Sequence, residues 1–148
     1  TVGISLSSDE KYFFITSSDH NTSEQYYFTV NEEYPNPKII NKRTKGILYS
    51  IDSWDNKFYN HTNDGAEDFK IDISVDLKKP NWEKFIPARN EVLIGGCTFL
   101  KNWIIRSEVS NATSIFLLIA WSQYHGVLCR QEWTIIGRMP ASPNKARC

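Results

Sequence analysis

Apolar and polar positions alternate most cleanly between residues 69 and 76, where Phe69, Ile71, Ile73 and Val75 are interleaved with Lys70, Asp72, Ser74 and Asp76. A period of two predicts a strand with one buried and one wet face. Shorter runs of the same character predict strands at Val2 to Leu6, Lys11 to Thr16, Ser23 to Val30 and Pro37 to Asn41. They continue at Leu48 to Ser53, Lys57 to His61, Asp68 to Asp76 and Trp82 to Ile86, then at Val92 to Ile94, Trp103 to Ser107 and Thr113 to Trp121. The continuous apolar run Ile115 to Trp121 reads as a strand covered on both faces. Polar turns such as Ser7-Ser8-Asp9-Glu10 separate the runs, and the prolines of Tyr34-Pro35-Asn36-Pro37 forbid central ladder bonding there. No segment of useful length before residue 122 has helical periodicity.

These runs repeat. The octets Ser8 to Ile15, Ser53 to Asn60 and Thr98 to Ile105 align on an aromatic at Phe13, Phe58 and Trp103, with the same interval of 45 residues between successive members. A period near this value, built from short strands and polar turns, is the signature of β-propeller blades, each of about four strands. The expected fold is therefore all-β: about three four-stranded antiparallel blades of an incomplete β-propeller, since closed propellers need roughly four to eight. Phe13, Phe58 and Trp103 are expected at equivalent buried positions. Residues 1–121 form the expected partial propeller. Residues 122–148, with Arg130, Arg138, Lys145 and Arg147 against Glu132 alone, read as an unrelated basic tail, exposed or weakly ordered, in which Trp133 to Ile136 could add one edge strand.

Composition adds exclusions. With 41% hydrophobic and 14% aromatic residues the chain can form a core, and 17 basic residues balance 17 acidic ones. Without a basic stripe there is no footprint for nucleic acid, and no run approaches the roughly twenty apolar residues that span a bilayer. No nucleic-acid or membrane partner is expected, and the expected location is cytoplasmic. Cys97, Cys129 and Cys148 are odd in number and lack C-x-x-C spacing, so they read as thiols and not as a disulfide framework. The sequons at Asn21, Asn60 and Asn111 read as turn chemistry.

Catalytic chemistry is hard to assemble. Gly3-Ile4-Ser5-Leu6-Ser7 matches only the first half of the G-x-S-x-G nucleophile motif and lies in a strand pattern. His20, His61 and His125 have no sequence partner that marks a general base. Asp19-His20-Asn21-Thr22-Ser23-Glu24 begins like a calcium loop, but Glu24 stands where glycine is needed for the turn and Val30 where a bidentate glutamate is needed. No cysteines and histidines show zinc spacing. Gly95-Gly96 reads as a bulge, not a phosphate cradle, and Thr62-Asn63-Asp64-Gly65 as a tight turn. Trp54, Trp82 and Trp103 read as blade packing. No catalytic, cofactor-binding or metal residue is assigned, and no cofactor is expected.

One further signal comes from residue order. Tyr49-Ser50-Ile51-Asp52, Lys57-Phe58-Tyr59, Thr62 to Ala66, Phe69-Lys70-Ile71, Trp82 to Pro87, Arg89 and Val92-Leu93 occur at spacings that resemble the N-terminal propeller of the oligopeptidase B branch of the prolyl oligopeptidase family of serine peptidases. Lys11 to Ile15 followed by Thr22-Ser23-Glu24 is similar to an earlier blade, so the likeness covers about residues 2 to 109. Ile47 and Ala88 depart from it at positions where the family often has histidine. The resemblance implies a two-domain enzyme whose propeller admits only short peptides to a separate Ser-Asp-His hydrolase domain cutting after Lys or Arg. No residue here matches that triad, so the chain alone is expected to be inactive. Open blade edges would favour self-association, and an alternative reading is a non-catalytic module that recruits a protein partner by strand addition.

Overall fold

The computed structural model describes residues 1–124 and 127–136, with side-chain placement through Ile119. The described residues form three four-stranded antiparallel sheets and fall into two compact units, residues 1–88 and 89–148. The all-β, three-blade expectation holds.

The first unit contains two sheets. The first comprises β1 (Val2–Leu6), β2 (Tyr12–Ser18), β3 (Ser23–Thr29) and the two-residue β4 (Lys38–Ile39), paired in sequence order. The second comprises β5 (Tyr49–Trp54), β6 (Lys57–Thr62), β7 (Lys70–Ser74) and β8 (Glu83–Ile86), again in order. Pro35 and Pro37 flank the approach to β4, which explains why it is so short. Hairpin twist demands left-handed backbone at the β5–β6 turn, and Asp55 and Asn56 supply it at φ 51° and 58°. Phe14, Tyr27, Tyr49, Ile51, Phe58 and Leu77 form the shared core of this unit. Tyr12 adds an edge-on contact to Phe58, with ring centroids 5.3 Å apart.

The second unit carries one sheet of β9 (Val92–Leu100), β10 (Trp103–Ser110), β11 (Thr113–Tyr124) and β12 (Val127–Ile136). The register shifts between Arg106 and Glu108, because Cys97 pairs with Arg106 whereas Ile94 pairs with Glu108. Gly95 and Gly96 are thus accommodated opposite Ser107 alone, the bulge expected from sequence. The extra residue brings Ile94 and Phe99 to the same buried face, which strict alternation over five positions would prevent. A Cβ on Gly95 would lie 2.1 Å from Ser107 Oγ, so the close approach requires glycine.

Three expectations need correction. The second strand of each sheet does begin at the aligned segment and Phe58 is buried as expected, but Phe13 is half-buried and Trp103 is 38% exposed. The equivalent buried positions fall one residue later, at Phe14, Tyr59 and Ile104, exposed by 1%, 3% and 0% and again 45 residues apart. Side chains alternate across a strand, so the aligned aromatic falls on the less buried face in the first and third sheets, whereas β6 buries both Phe58 and Tyr59. Secondly, the polar face of β7 is not wet: Asp72 and Ser74 are buried, whereas Val75, beyond the strand end, is 76% exposed. Thirdly, strand structure passes the expected boundary at Trp121. β11 reaches Tyr124 and pairs with β12 from Ile115↔Ile136 to Tyr124↔Val127, so part of the expected tail supplies the fourth strand of this sheet. The polar centre of β12, Arg130-Gln131-Glu132, disguised it, a common composition for an edge strand. The remaining basic residues Arg138, Lys145 and Arg147 lie outside the described residues.

Candidate functional site

The residues considered for catalysis are dispersed. Ser5 is exposed in β1 and pairs with Phe14. His20 is exposed in the β2–β3 turn, and His61, in β6, stacks on Phe69 with ring centroids 4.7 Å apart; His125 lies outside the described residues. At Asp19 the carboxylate accepts hydrogen bonds from the N–H groups of Asn21 and Thr22, both at 2.8 Å, and from Arg43 Nη1 at 3.3 Å. These bonds, the backbone ones foremost, hold its pKa below the ordinary value. Asp19 therefore organises a turn, which Arg43 clamps by also donating to Ser17 O at 3.1 Å.

The most elaborate polar construction joins the two sheets of the first unit. β5 is an edge strand whose free N–H and C=O groups would otherwise be unpaired. Side chains from β3 satisfy them. Ser23 Oγ donates to Tyr49 O at 2.8 Å and accepts from Tyr49 N–H at 2.6 Å, while Gln25 Oε1 accepts from Ile51 N–H at 2.7 Å. The other end of the Gln25 amide donates to Thr16 Oγ1 at 2.8 Å. Tyr49 returns the connection: its hydroxyl accepts from Gln25 N–H at 2.9 Å and donates to Asn41 O at 2.8 Å. Burial pushes the Tyr49 pKa above that of an ordinary tyrosine. At the opposite end Ser53 Oγ donates to Asp9 Oδ2 at 2.8 Å, and Ser8 Oγ donates to Asp52 Oδ2 at 2.6 Å.

Beyond this stitched region the seam opens. β4 ends at Ile39, and the connection through residues 41–47 borders a groove of about 820 Å³. Asn60, Thr62 and Asp72 lie along the groove with Lys70, whose Nζ is 2.9 Å from Asp72 Oδ2. Lys42 and Lys45 enter from the connection, and Trp82 and Lys84 from the outer edge. The Thr62-Asn63-Asp64-Gly65 turn braces one end: Asn63 Oδ1 accepts from Leu48 N–H at 2.8 Å, and Asn63 Nδ2 donates to Gly46 O at 2.9 Å. On sequence alone Lys70 and Asp72 read as a wet strand face, Trp82 as blade packing and Thr62 to Gly65 as a tight turn. The signal available was the density of Lys, Asp and Asn at alternate positions of two adjacent strands. In the second unit, Arg106 Nε lies 2.7 Å from Glu108 Oε1, a buried ion pair that Arg89 also joins. Among the described residues no group of three or more His, Cys, Asp and Glu is arranged to hold a metal, and no helix is long and apolar enough to cross a membrane.

Successive four-stranded antiparallel meanders, with equivalent buried positions at a fixed interval, define a β-propeller segment. Its family follows from direct comparison. The family model for the prolyl oligopeptidase N-terminal β-propeller domain matches residues 1–135, and the chain belongs to that family. The match passes Trp121, in agreement with the placement of β12. Protease 2 of Moraxella lacunata is 30% identical over 108 residues, covering 65% of this chain and 16% of that protein. Oligopeptidase B from Trypanosoma brucei, solved in a closed form with covalently bound antipain, superimposes with a TM-score of 0.75 at 18% identity, covering 86% of this chain and 19% of that one. For oligopeptidase B from Leishmania major the TM-score is 0.72 at 15% identity, with coverage of 86% and 18%. These structural likenesses show the shared fold. The chain spans under a fifth of the length of each of these three relatives.

Proposed function

We propose that this chain contributes three blades of a propeller that, in an oligopeptidase B-like serine peptidase, restricts access to a separate catalytic domain and so favours short peptides cut after Lys or Arg. The family match over residues 1–135 carries this reading. The reacting groups lie outside this chain, which supplies walls and no chemistry. Covalent peptide cleavage requires a nucleophile, an oriented base and oxyanion donors held together, whereas Ser5, His20 and His61 stand on separate elements. A cytoplasmic location accompanies this reading.

The chain alone presents two incomplete faces. Val2, Ile4 and Leu6 are exposed on β1, while Leu93, Trp103, Val109 and Phe116 are exposed in the third sheet. Such surfaces favour self-association through unpaired edges and apolar patches. The functional test is incubation of the purified chain with a fluorogenic Arg-Arg peptide. The expected rate is that of buffer; turnover traced to this chain and abolished by an organophosphate would overturn the assignment of chemistry elsewhere.

A further inference from the structure

We propose that the groove between the first two sheets is a binding site for a short acidic peptide, separate from peptide cleavage and independent of the reading above. The volume, about 820 Å³, falls in the range of ligand sites. Its charge is uneven. The Asp72 carboxylate on the floor is already answered by Lys70 at 2.9 Å. Lys42, Lys45 and Lys84 line the same groove, are exposed, and take part in no ion pair among the described residues. Three ammonium groups are thus available to carboxylates, with the half-buried Trp82 as an apolar wall between floor and rim.

A second observation selects the ligand's backbone. Asn60 is 6% exposed, lies along the floor, and its buried Oδ1 has no hydrogen-bond partner. A buried acceptor left in this state is costly and calls for an N–H donor. Asp64, also lining the groove, presents a further acceptor. A polyphosphate offers acceptors only, so it would leave Asn60 and Asp64 without a donor. A peptide bearing glutamate or aspartate supplies carboxylates to the lysines and amide N–H groups to Asn60 and Asp64.

Isothermal titration of the full chain with acetyl-Glu-Glu-Glu-amide, acetyl-Lys-Lys-Lys-amide and tripolyphosphate tests this assignment. The acidic peptide should bind saturably and at least tenfold more tightly than either competitor, and should weaken severalfold between 50 and 500 mM salt as the lysines are screened. The triple variant Lys42→Ala, Lys45→Ala, Lys84→Ala should lose at least tenfold in affinity with an unchanged circular dichroism spectrum, whereas Lys101→Ala, in the other unit, should bind as the parent chain does. Absence of saturable binding, equal affinity for tripolyphosphate, or undiminished binding by a folded triple variant would each overturn the proposal.

Discussion

Replacing Tyr49 by phenylalanine removes one oxygen and keeps the ring in the core it shares with Phe14, Tyr27 and Phe58. That oxygen accepts from Gln25 N–H at 2.9 Å and from Asn41 N–H at 3.2 Å, and donates to Asn41 O at 2.8 Å. Asn41 is exposed, so its groups recover water at little cost. Gln25 is buried, and its stranded N–H carries a desolvation penalty of about 1–3 kcal/mol. With a few tenths more from Asn41 the expected loss is roughly 1.5–3 kcal/mol, which for a unit of this size corresponds to a fall in Tm on the order of 10 °C. Urea titration followed by circular dichroism gives the free energy, and hydrogen exchange at β3 and β5 locates it. A loss below about 0.5 kcal/mol, or exchange enhanced equally in β9–β11, would refute the claim that this hydroxyl holds the two sheets together.

Gln25→Ala should destabilise the same unit by about 1–3 kcal/mol through the stranded Ile51 N–H, and unchanged exchange at Ile51 would contradict this. Gly95→Ala should loosen the third sheet by about 1–3 kcal/mol through overpacking, with partial recovery in Gly95→Ala/Ser107→Ala as measured by urea midpoints. The pKa of Tyr49 is raised by burial, so the folded state retains its proton above the ordinary value near 10. That stability is complete below pH ~10 and is lost as pH rises through the folded pKa, and an alkaline titration of Tyr49→Phe should show a correspondingly smaller decline. For Asp19 the pKa is lowered, chiefly by the Asn21 and Thr22 amides, so its contribution is present above the ordinary carboxylate value near 3.9 and disappears as pH falls below it; Asp19→Asn should flatten that acid limb in urea midpoints.

What the sequence disclosed depended on how local the determinant was. β1 matches its expected bounds, Val2 to Leu6, because the flanking turn chemistry is local. The Gly95-Gly96 bulge was legible for the same reason. The burial of Asp72 was not, since the connection through residues 41–47 and Trp82 border the same groove, which no alternation within β7 could reveal. Nor was the role of Ser23 and Gln25 in capping β5, which spans 26 residues of chain. The groove shared this obscurity: its lysines come from segments that meet only after folding.

The stitch at Gln25 also bears on how far the repeats remain copies of one another. Gln25 pairs with Thr16; at the corresponding steps Ile71 pairs with His61 and Leu117 with Arg106. The three partners in β2, β6 and β10 keep the 45-residue interval, yet the interior position opposite them changes from an amide to two aliphatic side chains, all three buried. The sheets therefore share an interval and still carry individual addresses. Exchanging the first sheet for a copy of the second would place isoleucine where Ile51 N–H now finds its acceptor, so shuffling these units would preserve every strand and still destroy the join.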